Sequence, residues 1–299
     1  MVPAMSPTRS ARQTRAMLTM LAAVALFAMM DAGLKQLSAH YPPFQVASLR
    51  GAASLPLVLV WAIATAGVRP LLRVRWSLHL LRGVLGVAMM ATFVYAVSKL
   101  PLSTTYSVFF VAPLLITALS VPFLGEHVGP RRWTAIVIGL IGVLVLLRPT
   151  GEGLVSLAAL AVLVAAVMYA ISAITVRVLA RTDSTQSMMV WLMAMIALGA
   201  GALAWPQWVP IRGEDLWIIA GVGVAGALGQ YAITEAFRLG EASLIAPLEY
   251  TALVWGVMFD LAFWGVLPDA ITWIGAAIIV VSGLYLIRRE RVHVEAEHP

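Results

Sequence analysis

The chain contains no cysteine, which removes a disulfide framework, a thiolate metal site and a cysteine nucleophile from consideration. It is also poor in charge. Asp, Glu, Lys and Arg make up 11% of its 299 residues, where soluble domains carry about 25%. A phosphate-cradling loop of the GxxxxGK[ST] type is missing, so drive by ATP is not expected. Histidine is scarce and badly placed for catalysis at depth. His40, His79 and His127 lie near the ends of apolar runs, while His293 and His298 lie in the C-terminal segment. No two of them share a helix face, so neither an intramembrane hydrolase nor a metal site is expected. The segments between apolar runs are short and leave no room for a soluble catalytic or receptor domain. No cofactor is implied by any motif.

What is present is apolar. Hydrophobic residues reach 61% and the mean hydropathy is +0.92. A soluble fold of this length has too little interior to hide that surface, so the chain reads as an all-α membrane protein. Ten runs approach the roughly 20 residues needed to cross a bilayer: 17–37, 44–66, 80–98, 102–123, 133–147, 154–179, 186–205, 215–238, 242–263 and 270–287. The net charge of +6 would suit nucleic acid, but these charges sit between the runs, where they orient a membrane protein. With a cytoplasmic N-terminus, fifteen Lys and Arg fall at inside positions and three, Lys99, Arg148 and Arg212, at outside ones. That asymmetry supports ten transmembrane helices with both termini cytoplasmic, in a cytoplasmic (inner) membrane. Arg9, Arg12 and Arg15 precede an apolar run that continues past Met30 without a cleavage site, so the run reads as a retained first span. Trp76 and Trp133 are expected at the inner interface, and Trp205, Trp208, Trp217 and Trp264 near the outer one.

The halves resemble each other. Lys99-Leu100-Pro101 sets against Arg238-Leu239-Gly240, Trp133 against Trp273, and Gly142-Val143 against Gly283-Leu284. This divides the chain into a basic cytoplasmic tail (1–16), a first five-helix repeat (17–148), a second five-helix repeat (154–289) and an unstructured cytoplasmic tail (290–299). An odd number of spans per repeat places the second copy upside down. Inverted repeats are the usual architecture of secondary transporters.

Charges inside the spans are costly and mark sites. At about 1.5 Å per residue, Asp31 and Arg50 fall at a similar depth on neighbouring helices, with Lys35 one turn from Asp31 on the same face. The three are expected to form one paired cluster in the outer half, which either fixes two helices together or acts in binding, gating or proton coupling. In the inner half Glu249 lies deep enough to require a cavity or a partner. Glu235, Arg238 and Glu241 are expected to reach the interface, and Asp260 the outer headgroups. Pro113 and Pro247 interrupt spans 4 and 9 and read as counterparts, either packing kinks or pointers to a midplane site. Tyr95, Tyr106, Phe109, Trp191, Tyr231, Tyr250 and Trp255 lie away from the interfaces and together suggest an apolar, aromatic-lined pocket.

These residues carry a family likeness. Asp31-Ala32-Gly33-Leu34-Lys35, Gln45 with Arg50, Ala112-Pro113, Leu124-Gly125-Glu126 and Gly142-Val143 in the first half match one group of carriers. So do Ala246-Pro247-Leu248-Glu249-Tyr250-Thr251, Gly265, Pro268-Asp269 and Gly275 in the second. Over 17–289 the chain resembles ten-helix EamA-type members of the drug/metabolite transporter superfamily. It departs from them at Gly265-Val266, where Gly-Glu is frequent, so Glu126 has no acidic counterpart. The second half also has Ala173 and Trp191 near the positions equivalent to Asp31 and Arg50. The resemblance implies bundles of spans 1–4 and 6–9 around a central cavity, with spans 5 and 10 peripheral. It further implies export of small metabolites, with amino acids, aromatic or other neutral ones, as the expected substrates. Another metabolite or drug, or a lipid carrier, is the alternative. Coupling to protons is expected if Asp31 or Glu249 carries one, and facilitated transport otherwise.

Overall fold

The computed structural model describes residues 9–125, 128–147, 156–239 and 246–297. Every regular element among them is helical. This follows from the apolar composition, because a backbone away from water must bond to itself. The principal helices are α1 (Arg9–Leu37), α2 (Pro43–Ala66), α3 (Trp76–Lys99), α4 (Leu102–Phe109), α5 (Ala112–Leu124) and α6 (Pro130–Leu147). The C-terminal half adds α7 (Leu157–Leu179), α8 (Thr185–Met195), α9 (Leu216–Leu239), α10 (Ala252–Trp264) and α11 (Ala270–Glu297). α8 continues through a π-helical turn, Ile196–Ala200, into Gly201–Ala204. There the Ser48 hydroxyl of α2 donates 2.7 Å to the Ala197 carbonyl, a bond to the irregular turn that ties the two helices together. Among the described residues, seven helical stretches are long and apolar enough to cross a membrane: Gln13–Leu37, Pro43–Ala66, Trp76–Lys99, Leu102–Leu124, Leu157–Leu179, Thr185–Gln207 and Gly213–Ala236.

Helix ends follow local chemistry. Pro43 occupies the first turn of α2, where a missing N–H costs nothing. Ser156 and Ser184 each accept a 3.2 Å bond from an amide in the first turns of α7 and α8. Gly125 and Gly265, both at left-handed φ of 71° and 64°, terminate α5 and α10. α5 and α10 are each 13 residues long, so these glycines fix the register between the halves. In that register Pro113 is the second residue of α5, whereas Pro247 lies in the helical turn Ala246–Thr251 ahead of α10. The two prolines are therefore not counterparts. The break before Pro113 falls at Phe110-Val111, next to the Phe109 carbonyl that a proline four residues on leaves without its helical partner.

The most extensive helix pairings run across the halves. α1 runs along α9, α3 along α7, α6 along α11, α2 meets α8, and α4 meets α10. Exchanging the two halves converts this pattern into itself. Three buried apolar clusters fill the contacts. One lies around Tyr106, Leu114 and Val162, one around Leu34, Met90 and Ile196, and one where Met20 and Ala23 meet Ala232 and Ala236.

Two expectations fail at the termini. The first helix begins at Arg9, ahead of the expected span at 17, and the last continues to Glu297 where an unstructured tail was expected. Arg, Glu and Ala favour helix, which suits both extensions. Glu126, His127, Arg148, Gly240 and Glu241 lie outside the described residues.

Candidate functional site

Asp260 is the most deeply placed acid of the described part of the chain, at 0% exposure. It was expected at the headgroups; instead α10 delivers it to the start of α4. Pro101, in extended conformation, ends one chain direction and starts α4 with unbonded amides. The Asp260 carboxylate accepts from the Leu102 amide (2.9 Å), the Ser103 amide (2.8 Å) and the Ser103 hydroxyl (2.7 Å). An acid from one half thus caps a helix of the other, where the helix dipole favours negative charge.

Lys35 completes this arrangement. Its ammonium lies 3.5 Å from Asp260, donates 2.8 Å to the Leu100 carbonyl and sits 4.6 Å over the Trp264 ring. Asp31, one turn down α1, is bonded by the Tyr106 hydroxyl at 2.8 Å. Arg50 interacts electrostatically with Asp31, and its Nε donates 3.2 Å to the Met30 sulfur. The expected mutual cluster of Asp31, Lys35 and Arg50 is therefore split. Lys35 turns away because Asp260 offers a fully buried, hydrogen-bonded carboxylate one turn further out. Gly256, one turn before Asp260, makes the geometry possible: a Cβ there would stand 2.8 Å from the Tyr106 ring and 3.2 Å from the Ser103 amide. Asp260 and Gly256 on α10 thus face Ser103 and Tyr106 on α4, and Tyr106 in turn faces Asp31.

Two polar latches join interhelical turns of the two halves. Between α1 and α2, the Tyr41 hydroxyl donates 2.6 Å to Asp215 and accepts 3.0 Å from the Arg212 amide, with His40 3.4 Å from Asp215. Gln45 joins the same contact through two bonds to Val209, of 2.6 and 2.9 Å. Between α7 and α8, Asp183 accepts from His79 at 2.9 Å and from the Arg75 amide at 3.0 Å. Burial pushes the Asp183 carboxyl up, but bonds from Thr182, the Arg75 amide and His79 outweigh it and hold the acid below its usual range. Each latch joins the first interhelical turn of one half to the second interhelical turn of the other, so exchange of the halves maps one onto the other.

A cleft of about 50 Å³ opens between α2, α3, α8 and α9, lined by Arg50, Ser54, Arg82, Met189, Met193 and Gln230 among others. The Arg82 side chain is buried, and its Nη1 donates 3.1 Å to the Met188 carbonyl.

The aromatic residues do not converge on one pocket. Phe109 packs with Phe93 and Tyr169 at ring distances of 5.8 and 5.5 Å, with Tyr95 packed against the same core. Tyr250 packs edge-on to Phe110 at 4.9 Å, its hydroxyl buried without a partner among the described residues. Half-buried Glu249 faces Tyr169 and Tyr250 electrostatically. Trp255 lies beside Phe259. Trp191 bonds the Leu71 carbonyl at 2.8 Å and packs on Trp76, at the edge of the bundle. Tyr231 is 49% exposed and leans on Trp61. Residues spread along five helices turn in different directions, which a count of aromatics in the sequence does not register. The sequence reading missed Asp260, Arg82 and both latches. An acid between Phe259 and Leu261 in an apolar run was the available signal for the first.

The profile of the EamA-like transporter family matches residues 14–148 and again residues 156–289. The riboflavin transporter of Vibrio cholerae is 31% identical over 278 residues, covering 91% of this chain and 93% of that protein. The pseudopaline exporter CntI of Pseudomonas aeruginosa is 28% identical over 266 residues, covering 89% and 93%. The S-adenosylmethionine uptake transporter of Rickettsia felis is 28% identical over 268 residues, covering 90% of each. One crystal structure superposes with a TM-score of 0.65 at 20% identity, over 92% of this chain and 98% of that one, and shares the fold.

Proposed function

Because the chain belongs to the EamA-like transporter family, multi-pass membrane proteins that move small metabolites, we propose that it is a secondary carrier working by alternating access. In this reading it has ten spans in two inverted five-helix repeats, with both termini in the cytoplasm and its place in the cytoplasmic membrane. The bias of Lys and Arg towards one set of turns supports that orientation. The observation that carries the reading is the pairing of helices across the halves, which survives exchange of the halves. A carrier must present its site to two sides through equivalent motions, and two exchanged halves supply them. The Tyr41–Asp215 latch then belongs to the outer side and the His79–Asp183 latch to the inner side. Asp31, Lys35, Arg50, Tyr106 and Asp260 form the polar core that the motion must reorganise, and Glu249 and Tyr250 flank it from the second half.

The substrate is a small organic metabolite with an apolar body. Relatives are named for riboflavin, pseudopaline and S-adenosylmethionine, which widens the amino-acid expectation. Neutral and aromatic amino acids keep the support of the Phe93, Phe109 and Tyr169 cluster. Uptake into proteoliposomes of riboflavin, S-adenosylmethionine and labelled amino acids, with and without a pH gradient, tests the proposal. Saturable uptake of one of them is expected, and dependence on the gradient identifies proton coupling. Folded protein that takes up none overturns the assignment of these substrates.

A further inference from the structure

Arg82 carries a charge that the rest of the described structure leaves uncompensated. A guanidinium stays ionised in any protein setting, and burying one without a counter-charge is costly. Arg50, on the same cleft, has Asp31 as its electrostatic partner. Among the described residues Arg82 has only the Met188 carbonyl, and its buried Nε has no partner at all. Its exposure is 8%. The named lining of the cleft holds two arginines, Gln230 and Ser54, and no acid. Ser54 spends its hydroxyl on the Gly223 carbonyl, leaving donors to dominate the polar side. The lining also holds Met189, Leu192 and Met193, apolar and readily repacked. The cleft brings both arginines and these methionines to one space, so a single molecule can meet a guanidinium and an apolar wall at once.

We propose that this cleft binds the anionic oxygen group, carboxylate or phosphate, of the transported molecule, with Arg82 as its principal donor and Arg50 beside it. The proposal rests on the carrier reading above and names the chemistry of its substrate. Planar guanidinium donors recognise both groups in the same way, so the two are separated by experiment.

The test is thermal unfolding of the full chain in neutral detergent at fixed ionic strength, titrated with phenyl phosphate, benzoate or neutral benzyl alcohol. Phosphatidylglycerol is titrated in parallel. At least one soluble anion is expected to raise Tm by about 2–4 °C beyond benzyl alcohol, and the stronger of the two tells phosphate from carboxylate. Arg82→Gln is expected to weaken that response by at least about thirtyfold in apparent Kd. Arg82→Lys, which keeps the charge, retains part of it and shows that the position tolerates change. Equal responses to anions and benzyl alcohol, or an unchanged response in folded Arg82→Gln, overturn the proposal. So does a response to phosphatidylglycerol alone, which assigns the cleft to a lipid headgroup. Transport measured on the same preparations keeps the two readings apart: transport without anion binding removes this inference and leaves the carrier standing.

Discussion

Lys35 on α1 and Asp260 on α10 face each other at 3.5 Å across the boundary between the two halves, the carboxylate fully buried. The carboxylate also takes three hydrogen bonds from the start of α4. Removing it strands a largely buried ammonium and two helix-terminal amides. Asp260→Ala is therefore expected to destabilise the protein by about 3–5 kcal/mol, read as a lower Tm in detergent. In a double-mutant cycle Lys35→Met combined with Asp260→Ala should cost less than the sum of the single changes. An additive cycle would show that the pair does not interact.

Tyr106→Phe removes the donor to Asp31 and leaves the ring seated against Gly256. The expected loss is about 1.5–3 kcal/mol, the range for a hydrogen bond to a charged group, together with slower transport. If Asp31 carries a proton during transport, Asp31→Asn should transport independently of the pH gradient. A variant that keeps full gradient dependence confines Asp31 to a structural role.

Gly256→Ala places a methyl group 2.8 Å from the Tyr106 ring and 3.2 Å from the Ser103 amide. The ring has some freedom and the backbone little, so overpacking of about 1–3 kcal/mol is expected. Gly129→Ala, which meets nothing within 4 Å, is the control. Equal melting temperatures for the two variants would mean that α4 and α10 are not in close contact.

Asp183 is held below its ordinary range in the folded protein, so its bonds contribute stability above the unfolded value of 3.8 and lose it as pH falls. Asp183→Asn should lower Tm at pH 7, and the gap to the unmodified protein should narrow below about pH 4. A gap that stays constant down to pH 3 rules out the ionised carboxylate as its source.

The membrane character, the helical fold and the likeness of the halves are legible in the sequence because each depends on long averages of composition and spacing. The polar partners are not. Lys35 and Asp31 stand one turn apart and invite pairing, yet Asp260 wins Lys35 from 225 positions away because the helix start at Leu102 already fixes its carboxylate. Depth along a span placed Asp260 near the surface. The fold covers that depth with Ser103, Trp264 and Lys35. Arg82 is one of the fifteen basic residues at inside positions, and its burial depends on α8, 106 positions away. Tyr231 looked interior because its run is apolar all round, which says nothing about the side it presents.

The two latches share no residue, and each is made by turns that belong to different halves. If their openings are independent, the fraction of molecules with both undone is the product of two small fractions. A continuous aqueous path across the molecule is then far rarer than exposure to either side. If the protein is the carrier proposed, weakening one latch changes which side it prefers at rest, and only weakening both turns it into a leak.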